Sequence, residues 1–222
     1  MSDPARSSRP AERGFEPSKV GSRLRAERER LGISLRELAR RVGVSPSLIS
    51  QIELDRVKPS VSTLYAVVTE LGMTMSDVFG DSRTGQPVVQ QLRAVDGLVE
   101  RPETRRVINL ASGVRWERLT AYSDREVEFL YVVYPVGAAS CPEDALVTHG
   151  GKEYGYVSSG TLGVRVGFEE YELGPGGSIA FDSSSPHRLW AIGDEPVHAI
   201  WVVIGREADP RAGTTSTPEL SE

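Results

Sequence analysis

Two different spacings of apolar residues divide the chain. From Lys19 to Phe79 the apolar residues recur every three or four positions, which is the period of an amphipathic helix. After Gly80 they form short runs rich in Val, Tyr, Trp and Ile, separated by Gly, Pro, Asp and Ser. This second pattern predicts short β-strands. We therefore expect a helical domain followed by an all-β domain, and 222 residues suffice for two modest cores.

The helical part predicts five helices with capping residues at their ends. Their predicted starts are Val20, Leu35, Pro46, Val61 and Met75. Serines precede three of these starts, as is usual for helix N-caps. Ser34 and Glu37 have the spacing of a capping box, in which each side chain bonds the backbone N–H of the other residue. In the first helix, Leu31 is expected to face the core and Arg28 is expected on an outer face.

The β-rich part predicts short strands joined by glycine-containing turns. The strands are expected near residues 105–110, 114–121, 126–134, 146–149, 153–158, 161–167, 170–173, 178–182, 187–192 and 197–204. Many short strands with a turn every 8–12 residues are typical of a β-sandwich or barrel. The expected division is a disordered arm at 1–18, a helical domain at 19–80, a linker or first barrel segment at 81–104, a barrel at 105–205 and a disordered tail at 206–222.

Charge is distributed unevenly between the two parts. The net charge of −5 argues by itself against a nucleic-acid partner. Residues 1–80, however, hold 13 basic and 10 acidic side chains, whereas the rest of the chain holds 13 and 21. Between Lys19 and Lys58 the count is 10 basic against 5 acidic. A basic helical domain joined to an acidic β domain restores nucleic acid as a partner of the first.

The cysteine count and the longest apolar run exclude further classes. With Cys141 as the one cysteine, an intramolecular disulfide and a zinc site of several thiolates are both excluded. The N-terminal stretch lacks the apolar region of a secretory signal. The longest apolar run, from Phe129 to Ala139, is about half of a membrane span. We therefore expect a cytoplasmic protein with no membrane partner.

The second and third predicted helices have the arrangement of a helix-turn-helix, with a tight glycine-containing turn between them. Leu48, Ile49 and Ile52 would be buried, which leaves small polar side chains free to enter the major groove of DNA. These free side chains are Ser47, Ser50 and Gln51, and the cations placed to meet phosphates are Arg36, Arg40, Arg41, Arg56 and Lys58. The alternative is a helical bundle whose arginines are only solvated.

The run from Ser34 to Glu53 closely resembles the phage-repressor-like DNA-binding domain, known as the XRE or Cro/CI type. The resemblance covers about residues 19–79 and implies a five-helix, lambda-repressor-like bundle that reads operator DNA. Positions that match the family's base contacts are Pro46, Ser47 and Gln51, with Ser50 adjacent. Glu53 falls where the family braces a loop rather than touching DNA.

Three residues of the acidic part form a candidate metal or effector site. His149 and Glu153 flank a Gly-Gly-Lys segment, and His187 follows about 34 residues after Glu153. Two imidazoles and a carboxylate that converge inside a barrel suit a divalent Fe, Mn, Ni or Zn ion with open positions. The alternative is that these are hydrogen-bonded pocket residues without a metal. His198 is expected to be a barrel histidine rather than a ligand.

The stretch from Thr148 to Gly160 resembles the first motif of the cupin superfamily, and the stretch from Gly177 to His187 resembles the second. The resemblance covers roughly residues 105–205 and implies a double-stranded β-helix barrel. One position departs from the family, because its full metal set has a histidine where this chain has Val147. Three of the four ligands therefore remain.

Together the two parts predict a transcription regulator rather than an enzyme. The helical domain would bind a double-stranded DNA operator, and the cupin domain would bind a small-molecule effector, directly or through one divalent metal. A homodimer is expected, because two DNA-binding domains on two operator half-sites raise affinity and specificity. The layout also resembles hydroxypropylphosphonate epoxidase, a mononuclear iron enzyme. Its iron ligands match His149, Glu153 and His187, so an iron cupin enzyme is the alternative.

Overall fold

The structure, a computed structural model, describes residues 19–80 and 98–205. The predicted arm, the predicted tail and most of the predicted linker at 81–104 lie outside the described residues. Within the described ranges, five α-helices precede nine β-strands, which is the order that the two apolar spacings predict. None of the helices in these ranges is long and apolar enough to cross a membrane.

Most of the helices begin directly after a capping side chain. Their bounds are α1 Val20–Arg30, α2 Leu35–Val42, α3 Pro46–Glu53, α4 Val61–Glu70 and α5 Met75–Phe79. The hydroxyls of Ser34, Ser45 and Ser60 each accept a hydrogen bond from the backbone N–H three residues further on. Helix α2 ends at Gly43, whose φ of 77° is the left-handed conformation that favours glycine. The predicted starts are therefore confirmed.

Two details at the ends of the predicted helices are wrong. The Glu37 carboxylate accepts hydrogen bonds from the guanidinium groups of Arg40 and Arg41 instead of bonding the backbone of Ser34. Charge-assisted bonds of this kind are stronger than a bond to a neutral amide, and they lower the pKa of Glu37 to about 2. Leu31 lies just after α1 and is 40% exposed, because the chain turns there before it can face the core.

Two antiparallel sheets make up the β domain. The strands are β1 Val107–Asn109, β2 Arg115–Arg118, β3 Val127–Tyr134, β4 Lys152–Ser159, β5 Thr161–Val166, β6 Glu169–Leu173, β7 Ser178–Asp182, β8 His187–Ile192 and β9 Val197–Ile204. The larger sheet has the order β1-β2-β3-β9-β4-β7, and the smaller has the order β6-β5-β8. Buried apolar side chains of both sheets, among them Leu130, Val203 and Leu162, form the core. Along β3, β4, β8 and β9, alternation turns every second residue into this core.

The predicted strand at 146–149 is wrong. Val147 makes only an isolated bridge to His187, with backbone hydrogen bonds of 2.8 and 2.9 Å in the two directions. The chain then leaves the sheet, because the His149 N–H bonds to the carbonyl of Ser183 and Gly151 turns with a φ of 98°. This turn places His149 outside the ladder and beside the start of β4.

The helical domain packs against the barrel through its α3–α4 loop, α4 and α5. Two backbone hydrogen bonds cross this domain interface: the Ala111 N–H donates to the Pro59 carbonyl (2.8 Å), and the Ser62 N–H donates to the Ser140 carbonyl (3.4 Å). Two side chains also donate across it: the Ser76 hydroxyl to the Asp124 carbonyl, and the Arg106 guanidinium to the Gly80 carbonyl (2.9 Å). The contact is polar at its rim, and it encloses apolar and aromatic side chains.

Candidate functional site

The structure brings His149, Glu153 and His187 together inside the barrel. Strand β4 directs Glu153 inward by its alternation, and His187 is the first residue of β8. The Nε2 atom of His149 lies 2.9 Å from Oε1 of Glu153, and the Nε2 atom of His187 lies 3.2 Å from that same oxygen. All three side chains are buried, and their candidate ligand atoms lie within 4.8 Å of one another. Two nitrogens and one oxygen thus face a common point.

Backbone carbonyls fix the orientation of both imidazoles. Nδ1 of His149 lies 2.9 Å from the Gly150 carbonyl, and Nδ1 of His187 lies 2.9 Å from the Ser185 carbonyl. A carbonyl only accepts, so each Nδ1 carries the hydrogen. In the neutral imidazoles the Nε2 lone pairs therefore point toward the Glu153 carboxylate. Such outer contacts are those that orient metal-ligating histidines.

The triad carries negative charge and lone pairs without a matching donor. Nε2 of His149 and Oε1 of Glu153 are buried and make no well-aligned hydrogen bond to any described residue. A cation at the common point would satisfy all three atoms at once. The donor set of this site therefore fits a divalent metal ion.

The titration of the triad favours the states that a metal needs. Burial raises the pKa of Glu153, but the two histidines and the Trp201 indole outweigh burial, so the pKa lies below its usual value. Burial lowers the pKa of His187, and this effect outweighs the attraction of Glu153. At neutral pH, Glu153 is therefore a carboxylate and His187 is a neutral imidazole.

Trp201 of β9 is a site residue that the predicted triad does not include. Its indole N–H donates a 2.6 Å hydrogen bond to Oε2 of Glu153, which leaves Oε1 directed at the histidines. Gly155 pairs with Trp201 in the register of β4 and β9. A Cβ at Gly155 would lie 2.1 Å from the indole ring, so only glycine lets the indole lie across β4. In the sequence, a glycine in the middle of a predicted strand is the signal that could have indicated a close approach by another side chain.

Apolar side chains surround the triad. Val147, at the position where the cupin family has its first histidine, is buried and lines the cavity with Val132 and Leu189. The cavity has a volume of about 20 Å³, which is the space of about one water molecule. The wall opposite the triad therefore offers packing surface rather than a fourth ligand.

Tyr65 of α4 closes this cavity, and the sequence analysis missed it. Its ring centroid lies 4.4 Å from that of His149 and 5.5 Å from that of Trp116. Its hydroxyl lies 3.4 Å from Oε2 of Glu128 on β3. Tyr65 is buried and lines the same cavity as Glu153. A residue of the helical domain thus forms part of the barrel's pocket.

Helix α3 presents a small and polar outer face. Ile49 and Ile52 are buried in the helical domain, as predicted, whereas Leu48, also predicted to be buried, is only half-buried against that core. The candidate base-contacting residues lie on the other side: Pro46 and Ser47 are exposed, and Ser50 and Gln51 are half-buried. The candidate phosphate-contacting cations Arg36, Arg41, Arg56 and Lys58 are all exposed. Arg41, however, is already bonded to Glu37, with Glu70 3.9 Å away.

A buried ion pair braces this domain. The expectation that Arg28 faces outward is wrong, because its guanidinium makes bonds of 2.6 and 2.8 Å to the two carboxylate oxygens of Glu53. Arg28 also donates to the Ile33 carbonyl (2.9 Å), and the Glu53 bonds raise its pKa. The pair joins α1 to the end of α3. This geometry agrees with the bracing role that the resemblance implies for Glu53.

The two remaining candidate side chains of the barrel lie outside the triad. Nδ1 of His198 lies 2.7 Å from the Tyr131 hydroxyl, on the opposite face of the larger sheet. Cys141 is buried, and its thiol donates to the Ala145 carbonyl. Burial raises the pKa of this thiol, which keeps it in the unreactive protonated form.

Two protein families match separate parts of the chain. The helix-turn-helix family matches residues 24–78, and the cupin domain family matches residues 125–203. The chain therefore has an N-terminal helix-turn-helix domain of the XRE type and a C-terminal cupin domain. Both resemblances drawn from the sequence are confirmed.

Similar proteins are regulators of transcription. The HTH-type transcriptional regulator PuuR of Escherichia coli (strain K12) is 28% identical over 171 residues, which is 75% of this chain and 84% of that protein. The immunity repressor protein of Bacillus phage phi105 is 39% identical over 62 residues, which is 28% of this chain and 43% of that protein. These relatives and the two domains identify the chain as a DNA-binding transcriptional regulator.

A solved structure of a regulator shares the fold. The crystal structure of an HTH_3 family transcriptional regulator from Vibrio cholerae covers 84% of this chain and 95% of its own, with a TM-score of 0.58 and 22% identity. The structure of hydroxypropylphosphonic acid epoxidase from S. wedmorenis covers 86% of this chain and 99% of its own. Its TM-score is 0.42 at 18% identity.

Proposed function

We propose that this regulator binds operator DNA through α3 and senses a small effector at the triad of His149, Glu153 and His187. The observation that supports this most is the stacking of Tyr65 on His149. Tyr65 belongs to the same domain as α3, so a molecule at the triad acts directly on the DNA-binding domain. A regulator of this kind works in the cytoplasm, where its operator is.

The base contacts would come from the outer face of α3. Gln51 can bond an adenine edge through two hydrogen bonds, while Ser47 and Ser50 can bond a base or a phosphate. Pro46 would contact the edge of the groove through its ring. The exposed Arg36, Arg56 and Lys58 would bond phosphates, with a smaller part for Arg41 because Glu37 competes for it.

DNase footprinting of the purified full chain on DNA upstream of its own gene tests this function. We expect a protected site whose occupancy falls steeply with salt. Gln51→Ala is expected to lose about 1–3 kcal/mol of discrimination at one base pair, whereas Arg56→Ala should weaken binding to every sequence and lower the salt slope by about 1. Arg25→Ala, an exposed arginine of α1 paired with Glu29, is the matched control. Equal affinity for all sequences would contradict the proposal.

We further propose that the triad holds one divalent metal ion, of the class Fe, Mn, Ni or Zn. His149 and His187 would each supply Nε2, and Glu153 would supply Oε1. The support is the set of buried atoms at this point that lack an aligned partner. When bound, the ion supplies a Lewis-acid centre for a polar group of the effector.

Calorimetric titration of the chelator-treated protein with Zn²⁺ tests the metal site. We expect one ion per chain, and Glu153→Gln should lower the affinity at least about 100-fold because it removes the anionic ligand. Glu172→Gln, an exposed carboxylate of β6, is the control. Equal affinities in the two variants would refute the metal site, although effector binding could then still be direct.

The effector would be small and partly apolar. The triad offers a polar end, and Val132, Val147 and Leu189 offer an apolar wall. This combination favours a molecule with one metal-binding or anionic group and a short apolar body. Mass spectrometry of the protein purified under native conditions would identify it directly.

We propose that the regulator is a homodimer joined through the outer face of the larger sheet. Adjacent strands there place six apolar or aromatic residues in two rows: Phe129, Tyr131, Tyr154, Tyr156, Ile200 and Val202. Tyr154 is 44% exposed and Tyr156 is 49% exposed. Aromatic side chains of this kind form the centre of protein interfaces, and a twofold axis through the patch would let it pair with itself. The two helical domains of the dimer could then bind two half-sites of the operator.

A mononuclear iron enzyme is the second candidate, because the same triad suits ferrous iron. A substrate would need the space beside the triad that Tyr65 now fills. Stoichiometric iron that is lost in His149→Ala together with oxidant-dependent turnover would favour the enzyme. Operator binding without any turnover would favour the regulator.

A further inference from the structure

The cavity at the triad is shared between the two domains. Val61 and Tyr65 of α4 line it together with Glu153 and His187 of the barrel. Tyr65 is in van der Waals contact range of the His149 ring, with centroids 4.4 Å apart and planes tilted by 32°. The helical domain therefore covers the triad with an aromatic ring.

The cavity is too small for an organic ligand while Tyr65 is in place. Its volume of about 20 Å³ holds about one water molecule. Sites for organic ligands are typically of about 300 Å³ or more, and even a molecule of a few heavy atoms exceeds one water. A ligand can reach the triad only if part of the wall moves.

Tyr65 is on the part of the wall that moves most easily. Val132 and Leu189 are buried in strands of two different sheets, so their displacement would open the barrel core. Tyr65 instead lies at an interface between domains, and interfaces of this kind are weaker than a domain's own core.

Helix α4 cannot move by itself. Leu64, Val67 and Val68 of the same helix are fully buried in the core of the helical domain. A displacement of Tyr65 that exceeds a change of side-chain rotamer therefore carries α4 and the DNA-reading helix α3 together. It also breaks the backbone bonds of Ser62 and Ala111 across the domain interface.

We propose that Tyr65 gates the effector site, so that a docked helical domain and a ligand at the triad exclude one another. The effector binds when the helical domain lifts off the barrel, and it then holds the domain undocked. In a dimer this changes the spacing of the two α3 helices, which couples effector and operator binding in both directions. The proposal rests on the proposed function for the statement that an effector binds at the triad.

Chemical modification of His149 measures the gate without a metal or a known effector. Diethyl pyrocarbonate, a small electrophile, is applied to the chelator-treated full chain, and peptide mass spectrometry gives the rate at each histidine. We expect Tyr65→Ala to raise the rate at His149 at least tenfold over wild type. Tyr65→Phe keeps the ring but loses the long 3.4 Å hydrogen bond to Glu128, so its rate should rise at most about threefold and stay well below that of Tyr65→Ala. His198 serves as the internal control, with one rate in all variants.

Two further measurements test whether the whole domain moves. Hydrogen exchange of the peptides that contain Ser62 and Ala111 should accelerate at least tenfold in Tyr65→Ala. Ser76→Ala removes a hydrogen bond across the domain interface outside the cavity, and it should raise the rate at His149 at least threefold. Thr69→Ala, exposed on α4, should change neither rate.

Equal rates at His149 in wild type and Tyr65→Ala would overturn the gate. A faster rate in Tyr65→Ala with unchanged hydrogen exchange, or with no response to Ser76→Ala, would overturn the movement of the whole domain. None of these outcomes depends on operator or metal binding. Failure of the footprint or of the Zn²⁺ titration would instead refute the proposed function and leave these rates as they are.

Discussion

At the residue scale, atoms behind the triad determine its chemistry. Two backbone carbonyls hold the imidazole hydrogens of His149 and His187 on the outer side. The Trp201 indole occupies one oxygen of Glu153, and the other oxygen faces the two Nε2 atoms. Each member of the triad is thus oriented by one contact and has one atom left for a ligand.

Trp201→Phe should therefore weaken the metal site while leaving all three ligands in place. Loss of the hydrogen bond to Glu153 frees this carboxylate to rotate, and loss of an outer contact typically costs about 10–100-fold in metal affinity. Calorimetric titration with Zn²⁺ measures the change. Trp190→Phe is the control, because that ring contacts Arg188 on β8 and not the triad. A larger loss in Trp190→Phe would contradict this prediction.

Also at the residue scale, Glu53→Ala should destabilise the helical domain by about 3–5 kcal/mol, because it leaves the Arg28 guanidinium buried without its partner. Urea unfolding followed by helical circular dichroism measures this. The control Glu27→Ala removes the partner of the exposed Arg30 and should cost less than about 1 kcal/mol. Similar losses in both variants would show that burial of the pair is unimportant.

At the scale of elements, β4 supports the site through both of its faces. Its inward residues Glu153 and Gly155 provide a ligand and the space for the Trp201 ring. Its outward residues Tyr154 and Tyr156 belong to the apolar face of the larger sheet. Alternation along one strand thus separates the effector site from the proposed dimer contact.

Gly155→Ala should disturb the site through this strand. The new methyl group would meet the Trp201 ring at 2.1 Å, so the indole has to shift away from Glu153. We expect a loss of about 1–3 kcal/mol of stability together with weaker Zn²⁺ binding. Thermal unfolding and the Zn²⁺ titration check both effects. Gly174→Ala, where the added methyl meets nothing within 4 Å, should leave both values close to those of the wild type.

At the scale of the whole molecule, one chain combines a basic reading domain with an acidic barrel that lies directly behind it. The uneven charge should confine DNA contact to the helical domain, since an acidic barrel would repel phosphates. The domain interface then joins the two functions, because α4 contributes to the core of one domain and to the cavity of the other.

Tyr156→Asp should dissociate the proposed dimer by placing a charge at the centre of the apolar face. Analytical ultracentrifugation is expected to show monomers, and operator binding should weaken and become steeply dependent on protein concentration. Tyr171→Asp is the matched control, because Tyr171 is 47% exposed on the smaller sheet. A dimer that persists in Tyr156→Asp but not in Tyr171→Asp would place the contact on the other sheet.

Much of this organisation was predictable from local patterns. Caps at Ser34, Ser45 and Ser60 and the three-to-four spacing fixed the helices, and several strand bounds, such as those of β7 and β9, agree with the prediction. The single failure among the strands, at 146–149, arose because a turn at Gly151 is decided by contacts of His149 with a distant strand end. Periodicity does not contain that information.

The sequence by itself determined the two domains, the reading helix and the residue types of the triad, because caps, periods and motifs act over a few neighbouring residues. Only the tertiary structure decided that Arg28 is buried against Glu53, that Trp201 holds Glu153 and that Tyr65 covers His149. Each of these depends on which distant surfaces meet when the domains pack. An interior helical tyrosine looks like any other core residue until the surface that it packs against is known.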